Sequence, residues 1–479
     1  MQAFISKYGL AAHLAILAVA PLFLLPFCGE VWIGRTILWL SLTAALWILL
    51  EPSRRRDEML HDARERVAVS IARDPLFWLM LLVVAVSSVR WANSGVAMAY
   101  DAENAVWLIK PPEFRFLPGG TDGSGFLPFA CAVALTVLVQ GCRHALGKSA
   151  RIGFLFISSA LAGLASFIAV VAMTAFGHDE LHKAVACDFR SASFVGVAFG
   201  VYFVAATAAL VGAFELKWNK AIPLVFLSIG GCGLGLFAFA PAYATAFFSA
   251  AAILALVPGL AYIAQKAGKT AAPKVLVFFG IAVTIGTFAT VWLMPKEVLV
   301  GRAGAFSGAG FFSEDFAAQR EVLTQIAQGV WKNHPWLGTG LDSFPLDIRF
   351  NASESDWDLL PSGQAGALNG WWQLLAERGI VGLAFLVMPV LFLLWTWGFR
   401  LTGVIRKDVV HRHLRTLLSV HPTCLTGILA LAAAAACGFI DHSFETPAVL
   451  MAVGSVLALS GSALPVPEKP RENTESTEM

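Results

Sequence analysis

The sequence predicts an all-α polytopic membrane protein with about twelve transmembrane helices and one large helical unit outside the bilayer. Three observations carry this. The chain of 479 residues is 57% hydrophobic and only 14% charged, too little charge to cover the surface of a soluble protein of that length. Apolar stretches close to the roughly 20 residues that cross a hydrocarbon core recur from one end to the other. Lys and Arg collect in alternate connections between those stretches, which is the pattern of the positive-inside rule.

The predicted spans are 10–28, 32–50, 75–91, 126–142, 152–177, 194–214, 221–240, 242–263, 275–294, 379–399, 423–440 and 447–464. Pro21, Pro26 and Glu30 follow the first apolar run without a small-residue cleavage site, so it reads as a retained helix. With the N-terminus inside, Lys7, six arginines of the 51–74 connection and the basic residues of 143–151, 217–220, 266–274 and 400–415 share one side. With Lys469 and Arg471 that makes 22 basic residues inside against 10 outside, Arg35 and Arg90 being close to helix ends. The expected location is therefore a bacterial inner membrane, crossed many times, with both termini cytoplasmic.

The outer segments are then 92–125, 178–193 and 295–378. The last is far longer than the roughly 15 residues of an ordinary connector. It is rich in Trp, Phe and Leu, which favours a folded helical cap over disorder. The expected organisation is a nine-helix membrane domain over 1–294, a large periplasmic loop domain over 295–378, three further helices over 379–464, and a disordered tail over 465–479. Other classes find little support. No basic tract suggests nucleic acid, no internal repeat suggests an inverted-repeat transporter, and no nucleotide-binding or metal-ligand spacing is present. His178 and His182 share a helical spacing, but two histidines do not make a metal site. The expectation is no cofactor and no metal. Of seven cysteines (28, 131, 142, 187, 232, 424 and 437), only Cys187 falls in an outer loop, so most are expected to pack as small apolar groups.

Candidate site residues concentrate in the large loop. Ser313, Glu314 and Asp315 read as a helix start, with acidic groups at the positive dipole end. Phe316, Leu323, Ala327 and Trp331 form an apolar stripe on that helix, with Arg320 in its middle. A guanidinium there must meet an anion, reach water or snorkel, because an unpaired buried charge is very costly. It is either a structural or snorkelling Arg, or a bidentate clamp for phosphate. Asn369, Gln373 and Glu377 stand four residues apart on one helix face, suited to hold sugar hydroxyls or simply to face solvent. Gly379 is a stop or hinge before the next span. Arg190 stands at the outer interface before the span at 194. Asp441, His442 and Glu445 cluster in the outer turn between the last two spans, where ionisable groups carry a functional hypothesis. His334, before Pro335, reads as a loop residue.

These segments together resemble the bacterial O-antigen ligase family and the related O-antigen polymerases. The resemblance rests on REVLTQIAQGVWKNHPWLGTGLDSF at 320–344, LNGWWQLLAERGIVGL at 368–383, and the ending GFIDHSFETPAVLMAVG; DFRSASF around Arg190 is a weaker match. The specific part covers about a quarter of the chain. It implies a fold of the GT-C type and transfer of a glycan from undecaprenyl diphosphate to an acceptor glycan or lipid at the periplasmic face. Chain-length regulators are candidate partners. Arg320 and Arg190 match the arginines expected on the lipid diphosphate, and Asn369 and Gln373 of the polar stripe remain the candidates for holding glycan. The family has His-Asn where this chain has Leu368-Asn369, and that His is the expected base. Glu377, Asp441 or His442 then takes the catalytic role, the reaction runs without a base, or the chain binds or exports lipid-linked glycan without transferring it.

Overall fold

The computed structural model describes residues 2–24, 29–50, 58–101, 104, 106–176, 192–218, 221–266, 271–293, 314–360, 366–407, 423–441 and 446–463. Arg190, His178, His182, Cys28, Cys187, Ser313, His442, Glu445 and the tail lie outside them.

All twelve predicted spans fall on helices. In chain order these are α1 (Gln2–Leu24), α2 (Glu30–Leu50), α4 (Pro75–Ala92), α5 (Phe126–Gln140), α6 (Lys148–Phe176), α7 (Ala192–Glu215), α8 (Ile222–Phe239), α9 (Ala242–Lys266), α10 (Ala271–Leu293), α13 (Gly370–Lys407), α14 (Thr423–Ile440) and α15 (Pro447–Ala463). Between α2 and α4 lies the polar α3 (Leu60–Ala72). Among the described residues nine helices are long and apolar enough to cross a membrane, and three apolar helices are shorter. The chain is a multi-pass, predominantly helical membrane protein.

Helix α7 occupies the centre and packs on α6, α8, α9, α14 and α15. Its small residues (Gly196, Ala198, Gly200, Ala205, Ala206, Ala208, Ala209) let neighbours come close, which is how helices associate where lipid supplies no hydrophobic drive. One close crossing in the bundle is between Gly163 of α6 and Gly231 of α8. A methyl group on Gly231 would stand 2.6 Å from the Gly163 Cα, so any larger residue separates the helices. Five cysteines (131, 142, 232, 424, 437) are buried, and the Cys232 thiol donates to the Ser159 carbonyl at 3.2 Å.

Two features add to the expected architecture. The 92–125 segment is not helical: β1 (Ser94–Asp101) pairs antiparallel with β2 (Val106–Lys110) and parallel with β3 (Gly120–Thr121). Alternation in GVAMAYD and VWLIK is compatible with strands, but flanking spans mask so short a period-2 signal. Asn93 organises the turn, its Nδ2 donating to the carbonyls of Phe114, Leu117 and Pro118 and its Oδ1 accepting from the Phe114 amide. The second lies around residue 378. Helix α13 starts at Gly370, inside the outer unit, and continues into the bundle through a kink at Gly379, where φ is 61° and ψ −177°.

The outer unit has its own apolar core. Leu323, Ile326, Ala327 and Val330 of α11 (Glu314–Asn333) pack with Phe344 and Ile348 of α12 (Phe344–Asn351) and with Ala367 and Ala376. Leu323 and Ala327 of the predicted stripe are fully buried, and Trp331 packs on Trp372 at 5.7 Å between ring centroids. The Phe316 side chain lies outside the described residues.

Candidate functional site

Residues 335–341 follow α11 as a strap, opening in a turn at 335–337, against the first turns of α13. The amides of Thr339 and Gly340 donate to the carbonyls of Ala376 and Glu377, while those of Ile380 and Val381 donate to Pro335 and Trp336. Backbone lies on backbone, so side chains are excluded. A Cβ on Gly338 would lie 2.3 Å from the Glu377 carbonyl carbon, and one on Gly379 would lie 2.2 Å from the Trp336 oxygen. Both also have positive φ, which only glycine adopts without cost. The Pro-Trp-Leu-Gly-Thr-Gly stretch is therefore a structural clasp. Leu341 extends it to the sheet: its amide donates to the Gly119 carbonyl and its carbonyl accepts from the Thr121 amide. The 92–125 and 314–378 segments are thus joined in one assembly.

The polar stripe of α13 is braced rather than solvated. Gln373 and Glu377 are 0% and 1% exposed, which excludes a solvent-facing role. Gln373 accepts from the Ala367 amide through Oε1, and its Nε2 donates to Glu377 Oε1, which also accepts from the Phe344 amide. Asn369 is buried and caps the helix, its Oδ1 accepting from the Trp372 amide. All three tie the start of α13 to the outer core.

Four elements converge around Arg320. Its Nε donates to the Leu368 carbonyl at 3.2 Å and one terminal nitrogen to the Phe439 carbonyl at 2.6 Å. Two residues beyond Phe439, the Asp441 carbonyl accepts from the Gly370 amide at 2.7 Å, and its carboxylate accepts from the Tyr243 hydroxyl of α9. Trp371 packs on Phe439 beside them. Arg320 thus pins the loop before α13 to the end of α14, while Asp441 ties the same loop to α9. Arg320 is half-buried, is held by carbonyls, and has no carboxylate within ion-pair distance among the described residues. Its guanidinium is oriented by those two carbonyls.

Leu368 takes a left-handed backbone conformation, φ 47°, and packs its side chain on the outer core. A non-glycine residue there costs roughly 1–2 kcal/mol, and the carbonyl so placed is the one that Arg320 grips. Tyr243 was invisible to the sequence reading: 198 residues separate it from Asp441, and a Tyr in the first turn of a span reads as an interfacial anchor. No group of three metal-ligating side chains comes together among the described residues. His334 is exposed at the end of α11.

Asp347 is a further buried carboxyl in the clasp, accepting from the hydroxyls of Thr339 at 2.7 Å and Ser343 at 3.3 Å. Burial pushes its pKa up to about 6, against the opposing pull of those hydrogen bonds and of His334. The folded unit therefore keeps this proton over a pH range in which the unfolded chain releases it. Stability is fully present below the ordinary carboxylate value and is lost as pH rises through about 6. We expect proteolytic resistance of the outer unit to fall between pH 4 and 7 by the equivalent of up to about 3 kcal/mol. Asp347→Asn should flatten that slope; a slope unchanged in the variant would assign it to another group.

A scan against protein-family models matches none, and no curated protein matches the chain.

Proposed function

We propose that the protein transfers a glycan from undecaprenyl diphosphate to an acceptor hydroxyl at the outer face of a bacterial inner membrane, in the manner of O-antigen ligases or polymerases, within a GT-C-type arrangement of about twelve spans. The observation that carries the reading is Arg320, a cation positioned by two carbonyls and left without a carboxylate among the described residues. In the proposed reaction the acceptor oxygen attacks the anomeric carbon and the bond from that carbon to the diphosphate oxygen breaks. The leaving diphosphate gains negative charge, and a fixed guanidinium stabilises that charge more in the transition state than in the ground state. Arg190 is assigned as the second diphosphate ligand on the resemblance alone.

The acceptor proton needs a base. We assign it to Asp441, whose carboxylate shares the node with Arg320 and is oriented by the Tyr243 hydroxyl. His442 is adjacent in sequence and is the alternative. Glu377 fits a bracing role better, being sealed beneath Phe344 and Gln373. By the same token, Asn369 and Gln373 position the loop that Arg320 grips, and glycan contact would fall to their neighbours. Asp441→Asn is expected to lower turnover by about 10²-fold or more, the usual worth of a positioned base. Turnover near the parent's in that variant would move the base to His442 or remove the need for one.

One observation favours a second reading, a chain that binds or exports lipid-linked glycan without transferring it. At the position of the family's expected base an apolar side chain packs into the outer core. Deletion of the gene in its host separates the readings through the lipid carrier's cargo. Long polymers accumulating on the carrier identify a ligase, and single repeat units identify a polymerase. Accumulation of neither sinks the transfer reading and leaves the binding role.

A further inference from the structure

A second charged cluster lies at the opposite, basic end of the bundle, far in topology from Arg320. There the chain leaves α5 through a π-helical turn, Gly141–Ala145, which turns Arg143 and His144 toward the N-cap of α4. Arg143 Nε donates to Asp74 Oδ2 at 3.0 Å, and His144 Nε2 meets the same oxygen at 2.9 Å. The other carboxylate oxygen accepts from the Leu76 amide, and Ser70 holds His144 Nδ1 at 2.7 Å. Both Asp74 oxygens are thus engaged. Burial alone would raise this carboxyl, but the His144 hydrogen bond and the Arg143 charge hold it below the usual carboxylate range.

Two more guanidinium groups approach from other helices. Arg151, in the first turn of α6, donates to the Arg143 carbonyl at 3.2 Å. Arg400 of α13 lies within electrostatic reach of Arg143, Arg151 and Asp74. Arg143, Arg151 and Arg400 thus come together from three elements, with Asp74 beside Arg143 and Arg400.

Immediately above this cluster is an open apolar groove of about 470 Å³ between α4 and α13, lined by Leu79, Met388, Leu391, Phe392 and Trp395. Leu79 is five residues beyond Asp74, and Trp395 five before Arg400. At the helical rise per residue each lies about 7.5 Å from the charged level. Helices α4 and α13 pack together and both are long and apolar enough to cross a membrane, and the groove opens between them.

From this juxtaposition we infer that the basic end of the bundle binds an anionic phospholipid of the facing leaflet, its phosphate on Arg400, Arg151 and Arg143 and its acyl chains in the α4–α13 groove. Planar guanidinium forks suit a phosphate. The groove's aliphatic and aromatic walls suit the chains. The position fits the leaflet on which the chain's basic residues concentrate, where anionic headgroups meet basic side chains. The inference does not depend on the transfer reaction at the other end.

The test uses the full chain purified in detergent, titrated separately with phosphatidylglycerol, phosphatidylcholine and inorganic phosphate. Melting temperature and lipid retention in native mass spectrometry are followed. Phosphatidylglycerol is expected to raise the melting temperature and to stay bound, whereas phosphatidylcholine and inorganic phosphate do neither. Arg400→Gln should weaken phosphatidylglycerol binding by about tenfold, the worth of a lost charge-assisted hydrogen bond. Lys274→Gln, an exposed basic residue of α10, should leave binding unchanged. Leu79→Trp, which fills the groove and keeps every charge, should weaken it too, so the site stays testable if Arg400→Gln does not fold. Equal stabilisation by phosphatidylcholine would overturn headgroup recognition. Equal stabilisation by inorganic phosphate would replace the lipid with a soluble anion, and parental binding by both variants would remove the site.

Discussion

Arg320→Lys is expected to abolish most glycan transfer, lowering turnover by about 10²-fold or more, the scale of losing a preorganised donor at developing charge. The reason is geometric. Arg320 spends Nε on the Leu368 carbonyl and one terminal nitrogen on the Phe439 carbonyl, and the planar fork still presents donors on its remaining edge. A lysine ammonium has three donors on a single nitrogen and cannot span both carbonyls while offering a bidentate face. The variant should retain one carbonyl contact, so its melting temperature should fall by no more than the equivalent of about 1–2 kcal/mol. Transfer of lipid-linked glycan in reconstituted membranes, measured beside thermal unfolding, separates the two effects. Parental turnover in Arg320→Lys would leave the residue as a strut between α11, α13 and α14. Loss of turnover matched by unfolding would carry no information on the diphosphate, and Arg320→Gln, which keeps a planar donor group without the charge, then decides: an inactive but folded Gln variant supports the clamp.

Gly338→Ala is expected to release the clasp from α13. The new methyl group meets backbone at 2.3 Å, where no rotamer can relieve the overlap, and φ of 71° adds the left-handed penalty. Together these cost on the order of 3 kcal/mol or more, against an outer unit with a modest apolar core. Gly329→Ala provides the contrast. It stands inside α11 with open space around the added methyl, and gaining a better helix former there should stabilise by roughly 0.5–1 kcal/mol. Limited proteolysis and Trp fluorescence, reporting on Trp331 and Trp372, should show opposite shifts for the two variants. A Gly338→Ala protein as resistant as the parent would mean that the strap and α13 are not held together as described.

How much of this was legible in advance depends on the range of the interaction involved. Spans are a local property: 20 apolar residues in hydrocarbon must close their own backbone hydrogen bonds, so each predicted segment became a helix. The apolar stripe of α11 and the hinge at Gly379 are equally local, written in i, i+4 spacing and in one residue that tolerates positive φ. The resemblance singled out Arg320 and Asp441 as residues to follow. It could not say that the intervening Gly-rich stretch is a backbone clasp, because the need for glycine there comes from Glu377 and Trp336 lying against it.

What the sequence by itself determined was the membrane character of the chain, the helical segments and the short roster of charged residues worth following. What only the tertiary structure decided was which of them meet. Spacing left Asn369, Gln373 and Glu377 open as a solvated face; packing beneath α12 buried them. Two outer segments were read separately, and a bridge between Gly120 and Leu341 joined them. Tyr243 found Asp441, and Arg400 came to Arg143 and Asp74, across hundreds of residues. The physical reason is the same in each case. Local propensity and hydropathy act over one or two turns, whereas hydrogen bonds, charge and close packing act through space, between residues that only folding makes neighbours.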